Sequence, residues 1–360
     1  MELSSPQKER YGKDNMKALD AQRLAQFIAW GPIVFEVSYI MTKWGIFQLL
    51  ADHREGLSID EVAQQKSITH YAAQVLLESS LTIGTVYLEN GKFCIAKPGR
   101  FLIDDKMAIS DMNFNQDVNY MGMFHLEEAL KNGKPEGLKV FGNWPTIYEG
   151  LSELPEQVQK SWFGFDHFYS DHSFEEALQI VFARHPRRLL DVGGNTGRWA
   201  SQCVGYDAEV NVTIMDLPQQ LGMMRKATAG SKGADRISGH PANLLDESNA
   251  FPTGFDAIWM SQFLDCFSES QVLSILKRAA VSMQADSRLY IMETLWDRQR
   301  FETASFCLAQ TSLYFTAMAN GNSKMFYSKD LERLVGEAGL KVEKIHDNIG
   351  LGHSIMVCCK

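Results

Sequence analysis

A glycine-rich corner and the acid before it are the first features of this sequence that suggest ligand binding. The stretch LLDVGGNTGRWA (189–200) is an apolar run that ends in Asp191 and then turns. The residues of the turn are Gly193, Gly194, Asn195 and Gly197. Such a corner between a strand and a helix lets a ligand approach the backbone near the positive end of the helix. The spacing differs from the G-x-G-x-x-G of NAD-type sites, and Asn195 tolerates a left-handed conformation.

A second acid, Asp216, ends the next apolar run in IMDLP, 25 residues after Asp191. A carboxylate at this place can accept hydrogen bonds from ribose hydroxyls and would reject a 2′-phosphate. Asp191 is poorly placed for a diphosphate and well placed for an ammonium group. A cationic group at the first acid and a free ribose at the second predict S-adenosylmethionine as the ligand. The alternative is that both acids only cap the ends of strands.

The elements that would position these acids follow from an alternation that begins near residue 186. Short apolar or β-branched runs are separated by helical stretches, of which SESQVLSILKRAA (268–280) begins with a capping box of Ser268 and Gln271. The runs are RLLDVG (188–193), NVTIMD (211–216), FDAIWM (255–260), RLYIME (288–293), LKVEKIHD (340–347) and HSIMVCC (353–359). This alternation predicts an α/β fold, a doubly wound parallel sheet whose last two strands form a hairpin with an antiparallel final strand. Ligands bind at the carboxyl ends of such strands.

The first hundred residues have a different organisation. LSIDEVAQQ (57–65) begins a helix with a capping box of Ser58 and Glu61, a second helix is predicted over 69–81, and VYLENGKFCIA (86–96) predicts a hairpin at its Asn-Gly pair. This is the order of a winged helix. Residues 67–80 contain neither Lys nor Arg, which favours dimerisation or scaffolding over DNA binding. The helix before these elements carries large apolar residues that would pack either against a partner subunit or in the chain's own core. They are Phe35, Tyr39, Met41, Trp44 and Phe47.

Composition limits the classes of partner. The chain has 360 residues, which favours two domains, and a net charge of −9, which disfavours a nucleic-acid partner. Its six cysteines show no zinc or disulfide spacing, and His, Asp and Glu show no metal-ligand spacing, so we expect no metal and a reducing, cytoplasmic location. The N-terminus MELSSPQKERYGKDN lacks a signal-peptide core, and the apolar stretch 27–41 is too short to span a membrane.

Several of these stretches together resemble a known family. LLDVGGNTG, IMDLP and YSDHSFEEAL are similar to the small-molecule O-methyltransferases of the caffeic-acid and hydroxyindole type, and the resemblance covers nearly the whole chain. It implies S-adenosylmethionine as cofactor, S-adenosylhomocysteine as product and a small aromatic or polyketide-like acceptor. It also implies a winged-helix homodimerisation domain over 1–110 and a methyltransferase domain over 111–360. Within the latter, 111–185 would form a helical acceptor-pocket segment and 186–360 the Rossmann-like core.

The resemblance also implies roles for individual residues. Gly193 would approach the methionyl part of the cofactor, and Asp216 with Leu217 would hold ribose and adenine. ANLL (242–245) would take the place of the family's G-D-M-F, with Asn243 near the adenine amine. The full implied cofactor set is Ser173, Asp191, Gly193, Gly194, Asn195, Gly197, Asp216, Leu217, Asn243, Leu244 and Ser261. Ser173 would reach the cofactor's carboxylate, and it is also predicted to cap FEEALQIVFA (174–183) in a capping box with Glu176.

The catalytic segment departs from the family. A histidine base is expected in a segment resembling L-H-D-W-S-D-E, and the matching stretch LDCFSES (264–270) has Asp265 in its place. Of the two carboxylates that flank that histidine, Glu293 matches the first and Met325 stands at the second. A carboxylate with a pKa of about 4 is a poor base for a phenol of about 10, unless burial raises the carboxylate's pKa. Asp265 and Glu293 are therefore the candidate catalytic residues.

Several interpretations of this departure stay open. Asp265 is either an unusual base, or a group that orients a substrate hydroxyl while proximity does most of the work. A third possibility is another reaction on the same scaffold, such as decarboxylation or hydroxylation. A fourth is a cofactor-binding protein without turnover, and a fifth is a ligand-sensing winged-helix regulator. The acceptor would lie among aromatic and methionine residues of 119–130, 161–169 and 312–321. The alternative bases are His125, His167 and His172, the last of which is predicted to be structural.

Overall fold

The computed structural model describes residues 5–360. The chain divides into two compact units, and the boundary along the sequence falls between Asp117 and Val118. The first four residues of the N-terminal stretch, where we predicted no signal peptide, lie outside the described part. In the remainder, no single helix is long and apolar enough to cross a membrane. One pair of helices, Ala18–Ala29 and Gly31–Lys43, has the length and composition when taken together, and it is bent by 69°.

The first unit is mostly helical. Its helices are α1 (Ser5–Tyr11), α2 (Ala18–Ala29), α3 (Gly31–Lys43), α4 (Ile46–Asp52), α5 (Ile59–Lys66), α6 (His70–Ile83), α7 (Lys97–Asp104) and α8 (Lys106–Phe114). A two-stranded antiparallel sheet of β1 (Val86–Glu89) and β2 (Lys92–Ile95) follows α6. The capping box that begins α5 is present, with Ser58 and Glu61 bonded reciprocally. The predicted Asn-Gly turn is also confirmed, because Asn90 and Gly91 both have the positive φ that such a hairpin requires.

The apolar residues of the first unit separate into a core and an open face. Met41 and Phe47 are fully buried, whereas Trp44 is exposed, so only part of the predicted set belongs to the unit's own core. Helix α2 has no buried residue at all. Its exposed apolar side chains are Leu19, Leu24, Phe27 and Ile28. Several large exposed apolar side chains on one helix are typical of an interaction face.

The second unit is a sheet flanked by helices. Its helices are α9 (Leu126–Asn132), α10 (Ile147–Gly150), α11 (Glu156–Asp171), α12 (Phe174–Phe182), α13 (Arg198–Tyr206), α14 (Pro218–Thr228), α15 (Glu269–Ser282), α16 (Glu302–Tyr314) and α17 (Ser328–Glu337). Its strands are β3 (Arg188–Val192), β4 (Asn211–Asp216), β5 (Ile237–Pro241), β6 (Ala257–Ser261), β7 (Arg288–Glu293), β8 (Lys341–Ile349) and β9 (His353–Cys359).

The sheet has the order β5-β4-β3-β6-β7-β9-β8, with every pair parallel except those that involve β9. The predicted α/β doubly wound sheet with an antiparallel last strand is therefore confirmed. The chain moves outward from β3 to β5 and then returns to β6 on the other side of β3. This reversal is the topological switch point, and it lies beside the carboxyl end of β3, where the glycine corner begins.

One strand was missed by the sequence analysis. β5 has the sequence ISGHP, in which Gly239 and Pro241 are unfavourable in strands, and none of its residues is fully buried. It is tolerated because β5 is an edge strand that pairs only with β4. The predicted run 255–260 also begins later than expected, since the strand is Ala257–Ser261.

Apolar clusters cover both faces of the sheet. Along β3, Leu190 belongs to the cluster on one face and Leu189 to the cluster on the other. The second cluster contains a stacked pair, Trp199 and Trp259, with ring centroids 4.4 Å apart. Because side chains alternate along a strand, Asp191 lies on the same face as Leu189 and in register with Trp259. An acid is thus built into an apolar layer.

Candidate functional site

The glycine corner between β3 and α13 has a left-handed backbone at three positions. Gly193, Asn195 and Gly197 have φ values of 74°, 49° and 79°, so the predicted tolerance of Asn195 is observed. A Cβ atom on Gly193 would lie 2.3 Å from the Phe263 ring. On Gly194 it would lie 2.4 Å from Asp191 Oδ2. The corner therefore leaves no room for side chains at its first two positions.

Asp216 ties this corner to the end of β4. Its Oδ2 accepts a hydrogen bond from the Asn195 amide at 2.9 Å, and its Oδ1 accepts one from the Leu217 amide at 2.7 Å. Burial raises the pKa of Asp216, and the two amide donors oppose that shift. Each carboxylate oxygen still has a lone pair for a further donor. The carboxylate thus fixes the backbone of the corner and can accept from a ligand hydroxyl as well.

One oxygen of the buried Asp191 carboxyl has no hydrogen-bond donor. Its side chain is 2% exposed, and Oδ2 has no hydrogen-bond partner. Burial, reinforced by the charge of Asp216, raises the pKa of Asp191 to about 8. An unpaired buried carboxylate is costly, so the site gains free energy from a cationic donor. The ammonium group of S-adenosylmethionine fits this orphaned oxygen.

Ser173, at the start of α12, does not form the predicted capping box. Its backbone has φ −94° and ψ −16° instead of the extended conformation of an N-cap. Its fully buried hydroxyl donates to the Ser170 carbonyl at 2.6 Å, and Glu176 Oε1 accepts instead from the Gly350 amide at 3.2 Å. The capping-box prediction is therefore wrong, because the preceding turn captures the hydroxyl. Binding a carboxylate through Ser173 requires this hydroxyl to rotate.

The other implied cofactor residues lie at the ends of neighbouring strands. Asn243, after β5, is exposed, and its Oδ1 accepts from the Leu245 amide at 3.0 Å. Leu244 is buried in the core, and its carbonyl accepts from Arg278 at 2.6 Å. Ser261 is half-buried at the end of β6. Hydrogen bonds thus join Asp216 to the Asn195 and Leu217 amides. Asn243 and Ser261 lie at the ends of flanking strands, β5 and β6.

The catalytic candidates occupy the carboxyl ends of β6 and β7. Asp265 lies on a 3₁₀ turn, Leu264–Cys266, and Glu293 is the last residue of β7. Glu293 Oε1 accepts from the Phe263 amide at 3.1 Å and from the Leu264 amide at 2.8 Å. Glu293 therefore holds the backbone of the turn that carries Asp265. Burial and the charge of Asp265 raise the pKa of Glu293, which is 1% exposed.

Asp265 titrates near neutrality. It is 4% exposed, and burial raises its pKa to about 7. The Cys266 thiol donates to Asp265 Oδ1 at 3.5 Å and opposes the shift, whereas the charge of Asp166 adds to it. A carboxyl group in this range is half ionised at the pH of a cell. Asp265 can therefore exchange a proton near pH 7.

Side chains from distant segments surround the turn. Asn320 Nδ2 donates to the Cys266 carbonyl at 2.6 Å, and the Trp162 indole on α11 donates to the Tyr314 hydroxyl on α16 at 2.7 Å. Met325, at the place where the resemblance predicts a second acid, is buried and accepts from Thr294 Oγ1 at 3.3 Å. Besides Glu293, a neutral donor, the Asn320 amide, thus holds the turn through the Cys266 carbonyl.

The three histidines considered as bases have other surroundings. His125 lies 3.5 Å from Glu128, and His172 Nδ1 bonds to the Phe168 carbonyl at 2.7 Å, as expected for a structural residue. Burial and Arg198 lower the pKa of His167. Over residues 5–360, no group of three or more His, Cys, Asp or Glu side chains is arranged to hold a metal ion.

Three residues of the site escaped the sequence analysis. Gln262 follows β6 with φ 45°, and its buried Oε1 has no partner. Tyr148, from α10, has its hydroxyl near Cys266, and Asp166 lies within electrostatic reach of Asp265. The only available signal was that Asp166 falls inside the aromatic segment 161–169. Nothing local distinguishes Gln262 or Tyr148, because their surroundings are created by tertiary contacts.

Comparison with known proteins identifies the family of the chain. The O-methyltransferase domain family matches residues 124–341, which is more than half of the chain. The chain belongs to the O-methyltransferase family. The enzyme is accordingly an S-adenosylmethionine-dependent O-methyltransferase, as the resemblance implied. A Dimerisation2-like domain matches residues 22–93, within the first unit.

Individual relatives are distant. Demethylspheroidene O-methyltransferase of Rhodobacter capsulatus is 23% identical over 320 residues, 87% of this chain and 73% of that protein. The apo structure of the S-adenosylmethionine-dependent methyltransferase SibL has a TM-score of 0.71 at 22% identity, over 93% of this chain and 98% of that one. NcsB1, an O-methyltransferase from neocarzinostatin biosynthesis, was solved with S-adenosylmethionine and 2-hydroxy-5-methyl naphthoic acid. Its TM-score is 0.66 at 15% identity, over 90% of this chain and 95% of that one.

Proposed function

We propose that the enzyme methylates a hydroxyl group of a small aromatic or polyketide-like acceptor, with Asp265 taking the hydroxyl proton. The observation that carries this proposal is the buried Asp265 carboxyl, whose pKa of about 7 suits a base at neutral pH. The naphthoic acid bound by NcsB1 supports an aromatic acceptor. So do the aromatic side chains Trp162 and Tyr314, which meet beside the turn.

The residues of the corner would hold the cofactor. Asp191 offers its unpaired oxygen to the ammonium group, and Asp216 offers its remaining lone pairs to the ribose. The further proposed cofactor residues are Ser173, Gly193, Gly194, Asn195, Gly197, Leu217, Asn243, Leu244 and Ser261. When bound, S-adenosylmethionine supplies an electrophilic methyl group to the acceptor. The protein's contribution is to orient the acceptor and to accept one proton.

Glu293 has a supporting role in this proposal. By accepting from the Phe263 and Leu264 amides, it fixes the turn and so the direction of the Asp265 carboxyl. Asn320 fixes the other side of the same turn through the Cys266 carbonyl. Because the backbone of the turn is held from both sides, the Asp265 carboxyl is already oriented, and little conformational entropy is lost when it accepts the proton. The proton passes from the acceptor hydroxyl to Asp265 and then to water after the product leaves.

The test uses 2-hydroxy-5-methyl naphthoic acid as the probe acceptor, S-adenosylmethionine with a labelled methyl group, and the variant Asp265→Asn. We expect the wild type to give a methylated product, and Asp265→Asn to lose about 10²-fold or more in kcat while S-adenosylhomocysteine binds unchanged. Asp286→Asn, an exposed aspartate of the same unit, is the matched control. Transfer by Asp265→Asn at the wild-type rate would remove Asp265 as the base. Consumption of the probe without label in the product would favour a different reaction.

We further propose a homodimer and a reducing, cytoplasmic location. The open apolar face of α2 and the Dimerisation2-like match over 22–93 support a second copy of the chain as the partner of the first unit. All six cysteines, which lie in the described part of the chain, are free thiols, three of them buried. This supports a reducing compartment.

A further inference from the structure

Arg278 is a half-buried cation on α15 to which the proposed reaction gives no task. Its Nη2 donates to the Leu244 carbonyl at 2.6 Å, and its Nε donates to the Ser274 carbonyl at 3.3 Å. Its Nη1 donates to the carbonyls of Asn249 at 2.9 Å and Asp246 at 3.2 Å. None of these four acceptors is a carboxylate. The guanidinium therefore serves here as a planar fork of donors and not as one half of an ion pair.

Three of the four carbonyls belong to the loop of residues 242–249, which follows β5 and carries Asn243. At the start of this loop, the Ala242 amide donates to the carbonyl of Asp216, the residue proposed to hold the ribose, at 2.9 Å. Within the loop, Asn249 Nδ2 donates to the Asn243 carbonyl at 3.0 Å. The loop is therefore fastened to the end of β4 at its start and to α15 by the guanidinium along its length.

We propose that Arg278 is a positioning residue for the cofactor, which holds the 242–249 loop in the conformation that receives the adenine. The inference rests on the proposed place of Asn243 near the adenine amine. Asn243 is exposed, and its Oδ1 accepts from the Leu245 amide at 3.0 Å, which fixes the direction of the side-chain amide. The second lone pair of this oxygen can accept from the adenine amine. A loop that is already ordered costs no further entropy when the ligand binds.

The variant Arg278→Met keeps most of the apolar stem and removes the fork of donors. The three loop carbonyls then lose their common partner, and the loop has to be ordered each time the cofactor binds. S-adenosylhomocysteine should therefore bind more weakly. The Asn243 amide should also turn over more freely, so the enzyme should discriminate less well against a base that has an oxygen in place of the 6-amine. A merely structural role would lower the melting temperature without changing this discrimination.

Arg236 provides a matched control within the same chain. Its guanidinium donates to the Val204 carbonyl at 2.6 Å and to the carbonyls of Asp207 and Val210 at 2.8 Å each. These carbonyls lie near the end of α13 and just before β4, at the edge of the sheet opposite to the glycine corner. Arg236→Met thus removes an equivalent fork of donors at the edge of the sheet where no cofactor is proposed to bind.

The direct measurement is calorimetric titration with S-adenosylhomocysteine and, separately, with S-inosylhomocysteine, which has the oxygen in place of the amine. We expect the wild type to prefer the first ligand by about tenfold or more. Arg278→Met should bind S-adenosylhomocysteine about tenfold more weakly and should lose most of this preference. Arg236→Met should melt at a lower temperature than the wild type but keep both affinities. Wild-type affinity for S-adenosylhomocysteine in Arg278→Met, or an equal loss in Arg236→Met, would overturn the inference.

The variant Asn243→Ala separates this inference from the proposed function. Weak binding of S-adenosylhomocysteine by Asn243→Ala, together with wild-type binding by Arg278→Met, would refute the role of Arg278 and keep Asn243 at the cofactor. Weak binding by Arg278→Met alone would keep Arg278 as a positioning residue and remove Asn243. Wild-type binding by both would show that the loop does not hold the cofactor, and both proposals would fail. Should Arg278→Met fail to fold, Arg278→Lys carries the same comparison, because an ammonium cannot span the three loop carbonyls.

Discussion

Replacing Asp191 by Asn should make the ligand-free enzyme more stable while weakening its hold on the cofactor. Asp191 is a buried carboxyl with an unpaired oxygen and a pKa raised to about 8, from an ordinary value of 3.8. In the unfolded chain the same group is ionised and hydrated at neutral pH. The folded protein therefore retains a proton that the unfolded chain releases, and it loses stability as pH rises from about 4 to about 8.

The size of this effect follows from the shift. Each unit of pKa is worth about 1.4 kcal/mol, so at pH 7 the group costs the folded state at most about 4 kcal/mol. The Asn amide has the same shape and no charge, but it leaves a buried donor unsatisfied, which costs about 1–3 kcal/mol. The net gain of Asp191→Asn at pH 7 is then about 1–3 kcal/mol. For a unit of this size that is roughly 3–10 °C in melting temperature.

Thermal melts of ligand-free wild type and Asp191→Asn at pH 6 and pH 8 provide the assay. The advantage of the variant should grow by about 2 kcal/mol between these pH values, because only the wild type carries the titrating group. Calorimetric titration with S-adenosylhomocysteine should show affinity weaker by tenfold or more, since the ammonium loses its counter-charge. Asp235→Asn, at an exposed position of the same unit, is the control and should change neither quantity.

Two outcomes would refute this reasoning. If Asp191→Asn melts below the wild type at pH 8, Asp191 is paired in solution and its burial carries no cost. If the variant binds S-adenosylhomocysteine as tightly as the wild type, the unpaired oxygen does not face the cofactor. A stable variant with weak binding would mean that the enzyme gives up stability at this position for its function.

Two further predictions concern the corner and the open face of the first unit. Gly194→Ala should weaken S-adenosylhomocysteine binding about tenfold or more in calorimetry, because the new methyl would displace the Asp191 carboxylate. Gly205→Ala on α13, where a Cβ meets nothing within 4 Å, is its control, and equal losses in both would argue against a local cause. Replacing Phe27 and Ile28 together by Glu should convert a dimer to a monomer in light scattering, whereas Tyr206→Glu, at another exposed aromatic, should not. A dimer that survives the double change would place the interface elsewhere.

The sheet and the glycine corner could be predicted from the sequence because the patterns that indicate them are local. Apolar runs separated by capped helices predicted six of the seven strands of the larger sheet. The acids near the ends of two of these strands, Asp191 and Asp216, led to the prediction of where a ligand would approach. β5 escaped because an edge strand needs only one partner and tolerates Gly239 and Pro241. Ser173 was assigned a capping box because its spacing to Glu176 allowed one, and the bonds to Ser170 and Gly350 that prevent it involve tertiary neighbours and turn geometry.

The surroundings of the base could not be predicted for a different reason. Asp265 was identified by its place in a motif, but its pKa depends on groups that are far away along the chain. The bond between Trp162 and Tyr314, which brings α11 to the turn, joins residues 152 positions apart. The bonds of Glu293 were also hidden, because the family resemblance implies an acid that flanks a catalytic side chain, whereas in the structure Glu293 accepts from two backbone amides.

Phe263 connects the two halves of the site in a way that bears on inhibition. Its ring lies where a side chain on Gly193 would be, and its amide is held by Glu293, two residues before Asp265. We therefore expect a molecule that binds at the corner and displaces the ring to move the turn that carries the proposed base. We expect cofactor analogues with bulk at this point to disturb the turn that carries the proposed base, even though they bind at the corner. A single ligand at the corner would thus affect the proposed base as well, although the two follow different strands.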